Sequence, residues 1–277
     1  MSRIRYKILN PTGNITALAE SPVPVPDQPA AGAVIMRRHP EVEQVGFVRF
    51  PENPEEGGVQ AELRMAGGEF CGNASMCTAA LVLLRNGERG TVPASETVVL
   101  RVSGAAHPVE VRLQRTAADE FRAGVHMPDA LEIGERVFSF GGAEGKLPLV
   151  RMPGISHLIV EMDSVFFSLR ENRPAAEQAV REWCDALGTE CLGLMFLEHD
   201  TPGNRLTPLV CVPGSGTVFW ENSCASGSSA AGMVLAARSG VPVDLAFSAP
   251  GGTMHVRSGA DGIWLFGQVK QLGEYQI

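Results

Sequence analysis

Two stretches of this chain repeat each other, and that duplication limits its fold more than any other feature. Glu69-Phe70-Cys71-Gly72-Asn73-Ala74-Ser75 has a counterpart in Glu221-Asn222-Ser223-Cys224-Ala225-Ser226-Gly227, and each copy runs into an alanine-rich stretch. Arg85 and Arg238 both fall 14 residues beyond their cysteine (85 − 71 and 238 − 224), with Gly87 and Gly240 two further on. Residues 43–48 match 190–195, and 103–112 match 248–257. Gln28-Pro29-Ala30-Ala31 has an analogue in Arg173-Pro174-Ala175-Ala176, and Asn14 with 15–18 lies opposite His157 with 158–161. The segments keep their order at offsets between 143 and 153. Solenoid repeats run about 20–50 residues, so a period this long indicates two homologous domains.

A length of 277 residues suits two domains of ordinary size. With 44% hydrophobic and 19% charged residues the chain has the means to bury a core. A net charge of −8 without a long basic cluster argues against nucleic acid as a partner. No run approaches the roughly 18 apolar residues of a membrane span. The opening Met1-Ser2-Arg3-Ile4-Arg5-Tyr6-Lys7 lacks the apolar core of a signal peptide, so a cytoplasmic location is expected. The six cysteines show neither CxxC pairing nor a Cys/His cluster at zinc spacing. Cys77, Cys184, Cys191 and Cys211 read as small hydrophobes that fill a core.

Short apolar runs bounded by Gly, Pro, Asn and Asp predict strands over 4–9, 15–19, 45–50, 59–65, 97–102 and 109–113 in the first half. In the second half they fall at 149–152, 158–162, 192–197, 206–212, 217–220 and 254–256. Pro174 opens an amphipathic helix whose Ala176, Val180, Trp183 and Leu187 share a face and which Gly188 stops. The stretches 78–84 and 230–237 are apolar nearly all round, which predicts helices buried on every side. The expected fold is α/β, with two pseudo-symmetric domains, each a barrel-like, strand-rich sheet around a central helix. The expected domains are residues 1–118 and 119–262, with the boundary near 115–120. A terminal strand from 263 onwards is able to pair with either half and is assigned to the first.

A helix N-terminus presents unsatisfied N–H groups and about half a positive charge. Cys71 and Cys224, placed at two such ends, are therefore expected to favour the thiolate, and the same N–H groups offer a carboxylate site. The small residues that follow (Gly72, Ala74, Ala225, Gly227) are expected to leave a ligand room to approach the backbone. Were the domains to face each other about a pseudo-twofold axis, one sulfur would lie on each face of a substrate α-carbon. That is the geometry of racemisation: one thiolate removes the α-proton, and the opposite thiol returns a proton to the other face. With only Lys7, Lys146 and Lys270, none beside a phosphate-cradling loop, pyridoxal chemistry has no support.

The segment from Met65 to Ser75, together with Glu221 to Gly227, resembles the paired motifs of the diaminopimelate epimerase-like, cofactor-independent amino-acid racemases. Asn10-Pro11-Thr12-Gly13-Asn14 and Pro250-Gly251-Gly252 extend the likeness over essentially the whole chain. A finer resemblance, carried also by Glu43-Gln44-Val45-Gly46-Phe47 and by Trp220 before the second motif, is to the histidine racemases that feed staphylopine-type metallophore synthesis. The resemblance implies Cys71 and Cys224 as the catalytic pair and no metal or organic cofactor. It also implies that Asn14, Gly72, Asn73, Ala225 and Ser226 hold the substrate's carboxylate or amine, with His157 near the thiols. Diaminopimelate epimerases carry Glu-Arg-Gly nine positions before the second cysteine; this chain has the uncharged Ser215-Gly216-Thr217 there. A second amino-acid head therefore has nothing to grip it.

Glu43, Glu221 and Asn222 complete the expected substrate set, against the alternatives of a solvated strand-end charge and of turn residues. The expected partner is a small amino acid, and the expected assembly a homodimer. Three rivals stay open: racemisation of another amino acid, diaminopimelate included; a non-racemising isomerase of small carboxylic acids; and a binding module without turnover.

Overall fold

A computed structural model describes residues 3–51, 58–87, 93–200 and 203–277; Met1 and Ser2 of the opening segment lie outside the described residues. In chain order the first elements are β1 (Arg5–Pro11), β2 (Thr16–Ala19), α1 (Gln28–Arg38), β3 (Gln44–Arg49), β4 (Val59–Met65), α2 (Gly72–Gly87), β5 (Ser95–Val102), β6 (Val109–Arg115) and β7 (Glu120–Met127). There follow β8 (Glu132–Phe140), β9 (Ala143–Met152), β10 (Ile155–Glu161), α3 (Arg173–Leu187), β11 (Leu192–Asp200), β12 (Gly203–Val212), β13 (Thr217–Trp220), α4 (Ala225–Ser239), β14 (Asp244–Ala249), β15 (Gly252–Gly259) and β16 (Gly262–Gln276).

The chain divides into two compact units, residues 1–126 with 266–277 and residues 127–265. Residues 115–120 form the turn of the β6–β7 hairpin, closed by the Thr116 N–H on the Glu120 carbonyl at 2.9 Å, and the division falls after His126. In the first unit the strands run β1-β2-β3-β4-β5-β6-β7-β16, and β16 pairs back to β1, which closes a barrel of eight strands. Closure removes both sheet edges. In the second unit the order is β15-β14-β12-β11-β10-β9-β8, with β13 paired to β12.

The duplication survives in the pairing senses. β2–β3 and β4–β5 are parallel, and the pairs around them, β1–β2, β3–β4 and β5–β6, are antiparallel. β10–β11 and β12–β14 are likewise parallel between antiparallel β9–β10, β11–β12 and β14–β15. A parallel pair needs a crossover, and each of the four helices supplies one. α1 and α3 are the outer crossovers. α3 starts at Asn172, whose side chain caps the Ala175 N–H at 3.3 Å, and stops at Gly188 with φ 60. Its Trp183 packs on Phe138 and Phe166 at ring separations of 5.1 and 4.9 Å. α2 and α4 are the inner crossovers, and their apolar composition is matched by burial from Gly72 to Leu83 and from Ala225 to Val234.

Candidate active site

Each cysteine ends the loop that enters an inner helix, and the local geometry is the same twice. Ala74 N–H points at Cys71 Sγ at 3.4 Å, and Gly227 N–H points at Cys224 Sγ at 3.4 Å. Ser75 and Ser228 N–H close the first turns on the Cys71 and Cys224 carbonyls at 3.0 and 2.9 Å. A sulfur at the N-cap accepting the N–H three residues on is the arrangement Ser or Asp makes at other helix starts. The sequence places the same residue type at both starts, and the fold uses both alike.

Surroundings separate the two. Cys71 is half-buried, and its thiol donates to Gln44 Oε1 at 3.1 Å. Cys224 is buried, with Ser226 Oγ 3.6 Å from its sulfur. Burial pushes the Cys224 thiol well above its ordinary pKa, and the Glu221 carboxylate beside it pushes the same way, while the Gly227 N–H and the Ser226 hydroxyl oppose them. Burial and the Glu221 carboxylate thus run against the helix-end preference for thiolate expected at Cys224. Cys77, Cys184 and Cys211 are buried thiols raised by desolvation, and Cys191 is buried, in keeping with packing roles.

Asn14 is buried at the entrance to β2, held by the preceding turn. There Gly13 N–H donates to Asn10 Oδ1 at 2.5 Å, and Thr12, at φ 55, accepts the Gln268 N–H on its hydroxyl at 3.0 Å. A β-branched residue in left-handed space needs such over-determination. Glu43 lies just before β3, half-buried, with its N–H on the Ile15 carbonyl at 2.9 Å. Gly72 and Asn73 form the first turn of α2, and the buried Asn73 Oδ1 has no hydrogen-bond partner. Ala225 and Ser226 form the first turn of α4, Glu221 is half-buried, and Asn222 is exposed.

The register revises the match between Asn14 and His157. Gly46 and Gly193 are equivalent, and they pair with Leu18 and His157 respectively, so His157 occupies the slot of Leu18. A Cβ on Gly193 would collide with His157 Nδ1 and come within 2.7 Å of Met195 Cε. His157 is fully buried without a hydrogen-bond partner on either ring nitrogen, and burial lowers its pKa to about 3. Met195 connects this ring to the cysteine: a Cβ on Gly227 would collide with Met195 Sδ and lie 3.2 Å from Cys224 Sγ. The space beside Gly227, expected to admit a ligand, is therefore filled from within. Gln44 was missed by sequence reasoning, which singled out its neighbour Glu43. Its signal in the sequence is its place in the 43–47 run that carries the finer resemblance; the contact with Cys71 comes only with the fold.

A surface cavity of about 480 Å³ between β8 and α3, lined by Arg136, Phe138, Arg151 and Trp183 among others, contains none of the candidate residues. Among the described residues no group of three His, Cys, Asp or Glu side chains is placed to hold a metal ion, and no helix is long and apolar enough to cross a membrane.

A family model described as the histidine racemase CntK N-terminal domain matches residues 3–265. A histidine racemase of Fusobacterium nucleatum subsp. nucleatum is 31% identical over 235 residues, spanning 82% of this chain and 78% of its own length. A histidine racemase of Staphylococcus aureus is 26% identical over 257 residues, spanning 92% and 88%. Among solved structures, a hydroxyproline epimerase from Agrobacterium vitis with bound trans-4-hydroxy-L-proline superposes with a TM-score of 0.71 at 16% identity, over 99% of this chain and 92% of its own. At that identity the likeness speaks for the shared fold.

Proposed function

Since the chain belongs to the histidine racemase family and is an amino-acid racemase, we propose that it interconverts L- and D-histidine, using Cys71 and Cys224 as a two-base pair and no pyridoxal phosphate. One thiolate takes the α-proton, and the other thiol delivers a proton to the opposite face. For the reverse enantiomer the roles exchange. The observation that carries this reading is the doubled cap: two cysteines in equivalent positions, each with an inner-helix N–H 3.4 Å from sulfur. Core-filling cysteines have no reason to keep that geometry in both copies.

Gly72, Asn73, Ala225 and Ser226 supply first-turn N–H groups for the substrate carboxylate, whose grip stabilises the enolate-like intermediate. Asn14, Glu43, Glu221 and Asn222 complete the polar set that orients the zwitterion. His157 contributes two buried ring nitrogens with hydrogen-bonding capacity to spare. The physiological product is proposed to be D-histidine for an opine metallophore, made in the cytoplasm by a homodimer.

The test is racemisation of a panel of L-amino acids followed by chiral chromatography, with α-proton exchange in D2O read by NMR. Histidine is expected to turn over, and Cys71→Ser and Cys224→Ser each to lose at least about 100-fold. Full activity in either variant would sink the two-base scheme; turnover of another amino acid with histidine inert would reassign the substrate.

A further inference from the structure

We propose that Gln44, backed by Thr16, is a positioning residue that serves Cys71 in both protonation states by turning over its side-chain amide. The catalytic meaning rests on the two-cysteine reading above; the hydrogen-bond logic belongs to the first unit alone.

The chain of contacts has a direction. Cys71 Sγ–H donates to Gln44 Oε1 at 3.1 Å, Gln44 Nε2 donates to Thr16 Oγ1 at 2.8 Å, and Thr16 Oγ1 donates to the Asn14 carbonyl at 3.0 Å. A hydroxyl has one proton. With that proton on the Asn14 carbonyl, Thr16 can only accept from Gln44, which turns Nε2 towards Thr16 and Oε1 towards the sulfur. Sulfur facing a carbonyl oxygen must be protonated, and a thiolate there would set acceptor against acceptor.

A half-turn of the amide supplies the other state. Nε2–H then faces the thiolate, and Oε1 accepts from the Thr16 hydroxyl as it swings away from Asn14. A carboxylate could serve only the thiol, and a hydrocarbon neither state. A two-base racemase needs this versatility, because Cys71 gains a proton from substrate in one direction and gives one up in the other. Thr16 is fully buried and Gln44 half-buried, so water is poorly placed to substitute.

Ionisable groups on the adjoining segments are Glu43 before Gln44, Glu69 before α2, and Cys77 on α2 beside Thr16. Burial raises the Glu69 and Cys77 side chains. The second unit has no copy of this device. Its repeat puts Cys191 where the first has Gln44, and Cys224 meets Ser226 and Glu221 instead.

The test reads Cys71 directly. In a Cys224→Ala background, iodoacetamide labelling of Cys71 is followed against pH by peptide mass spectrometry, since the thiolate is the nucleophile. Gln44→Glu and Gln44→Met are expected to move the labelling midpoint up by about one pH unit or more, a tenfold slowing below it. Thr16→Val, which removes the hydroxyl that turns Oε1 towards the sulfur, is expected to shift it the opposite way, and Thr16→Ser to restore it. With Cys224 intact, the Gln44 variants lose racemisation equally in kcat/KM for both enantiomers, because the overall equilibrium is symmetric. Unmoved labelling profiles in folded Gln44→Glu and Gln44→Met would overturn the proposal, whatever the activity. Shifted profiles with undiminished racemisation would leave the Gln44 contact standing and remove the two-cysteine reading.

Discussion

His157 stands where the first repeat has Leu18, and the exchange of a hydrocarbon for an imidazole has a measurable consequence. Burial holds the folded-state pKa at about 3, against about 6.5 in an unfolded chain. The unfolded state therefore binds a proton that the folded state refuses, and stability falls as pH drops from about 6.5 towards 3, by up to about 1.4 kcal/mol per pH unit. Between pH 7 and 4.5 the urea midpoint of His157→Leu is expected to fall less than that of the native chain; parallel losses would show that His157 is not the group responsible. Gly227 tests the packing next to Cys224. Gly227→Ala must displace Met195 and is expected to cost about 1–3 kcal/mol in denaturant unfolding. At this scale the matching places of Cys71 and Cys224 at two helix starts were legible, because duplication singles them out. Gln44 and Met195 were not, since what matters is which atom faces which sulfur, and strand register sets that.

Elements were legible where their own residues specify them. α3 carries an apolar stripe, Pro174 at its start and Gly188 after its end, and it forms as those signals require. Asn172→Ala is expected to remove about 1 kcal/mol through the lost cap, read as a lower thermal midpoint of the second unit. α4 depends on a different property, close approach to the sheet. A Cβ on Gly232 would stand 2.6 Å from Val256 Cγ1 on β15, so Gly232→Ala is expected to destabilise by about 1–3 kcal/mol, although alanine is the better helix former in isolation. A stabilised Gly232→Ala protein would refute that packing. β7, β8 and β14 escaped sequence reasoning. β8 reads Glu-Ile-Gly-Glu-Arg-Val-Phe-Ser-Phe, with a glycine and adjacent charges that break alternation, and it forms because β9 offers a continuous ladder from Glu132 to Phe140. α1, with Gly32 at its centre, gains its helix from Ile35 packing on the β1–β3 core.

At the scale of the molecule, the last strand carries a burden out of proportion to its length. Residues 266–277 belong to the first unit, where β16 pairs with β1 from Arg5↔Gln276 to Pro11↔Val269 and completes the barrel. Deleting Phe266–Ile277 would expose β1 along its whole length. The expected outcome is loss of the cooperative thermal transition and aggregation on size-exclusion chromatography; a truncated chain that stays monodisperse with native circular dichroism would show that closure is dispensable. The sequence by itself determined that the chain is one α/β unit built twice, with two inner helices each headed by a cysteine, because repetition and apolar patterning are properties of residue order. Only the tertiary structure decided that Leu18 and His157 are equivalents, that burial and Glu221 raise the Cys224 thiol, and that Gln44 meets Cys71. Those outcomes depend on distance, register and lost solvent, which arise only once remote segments are brought together.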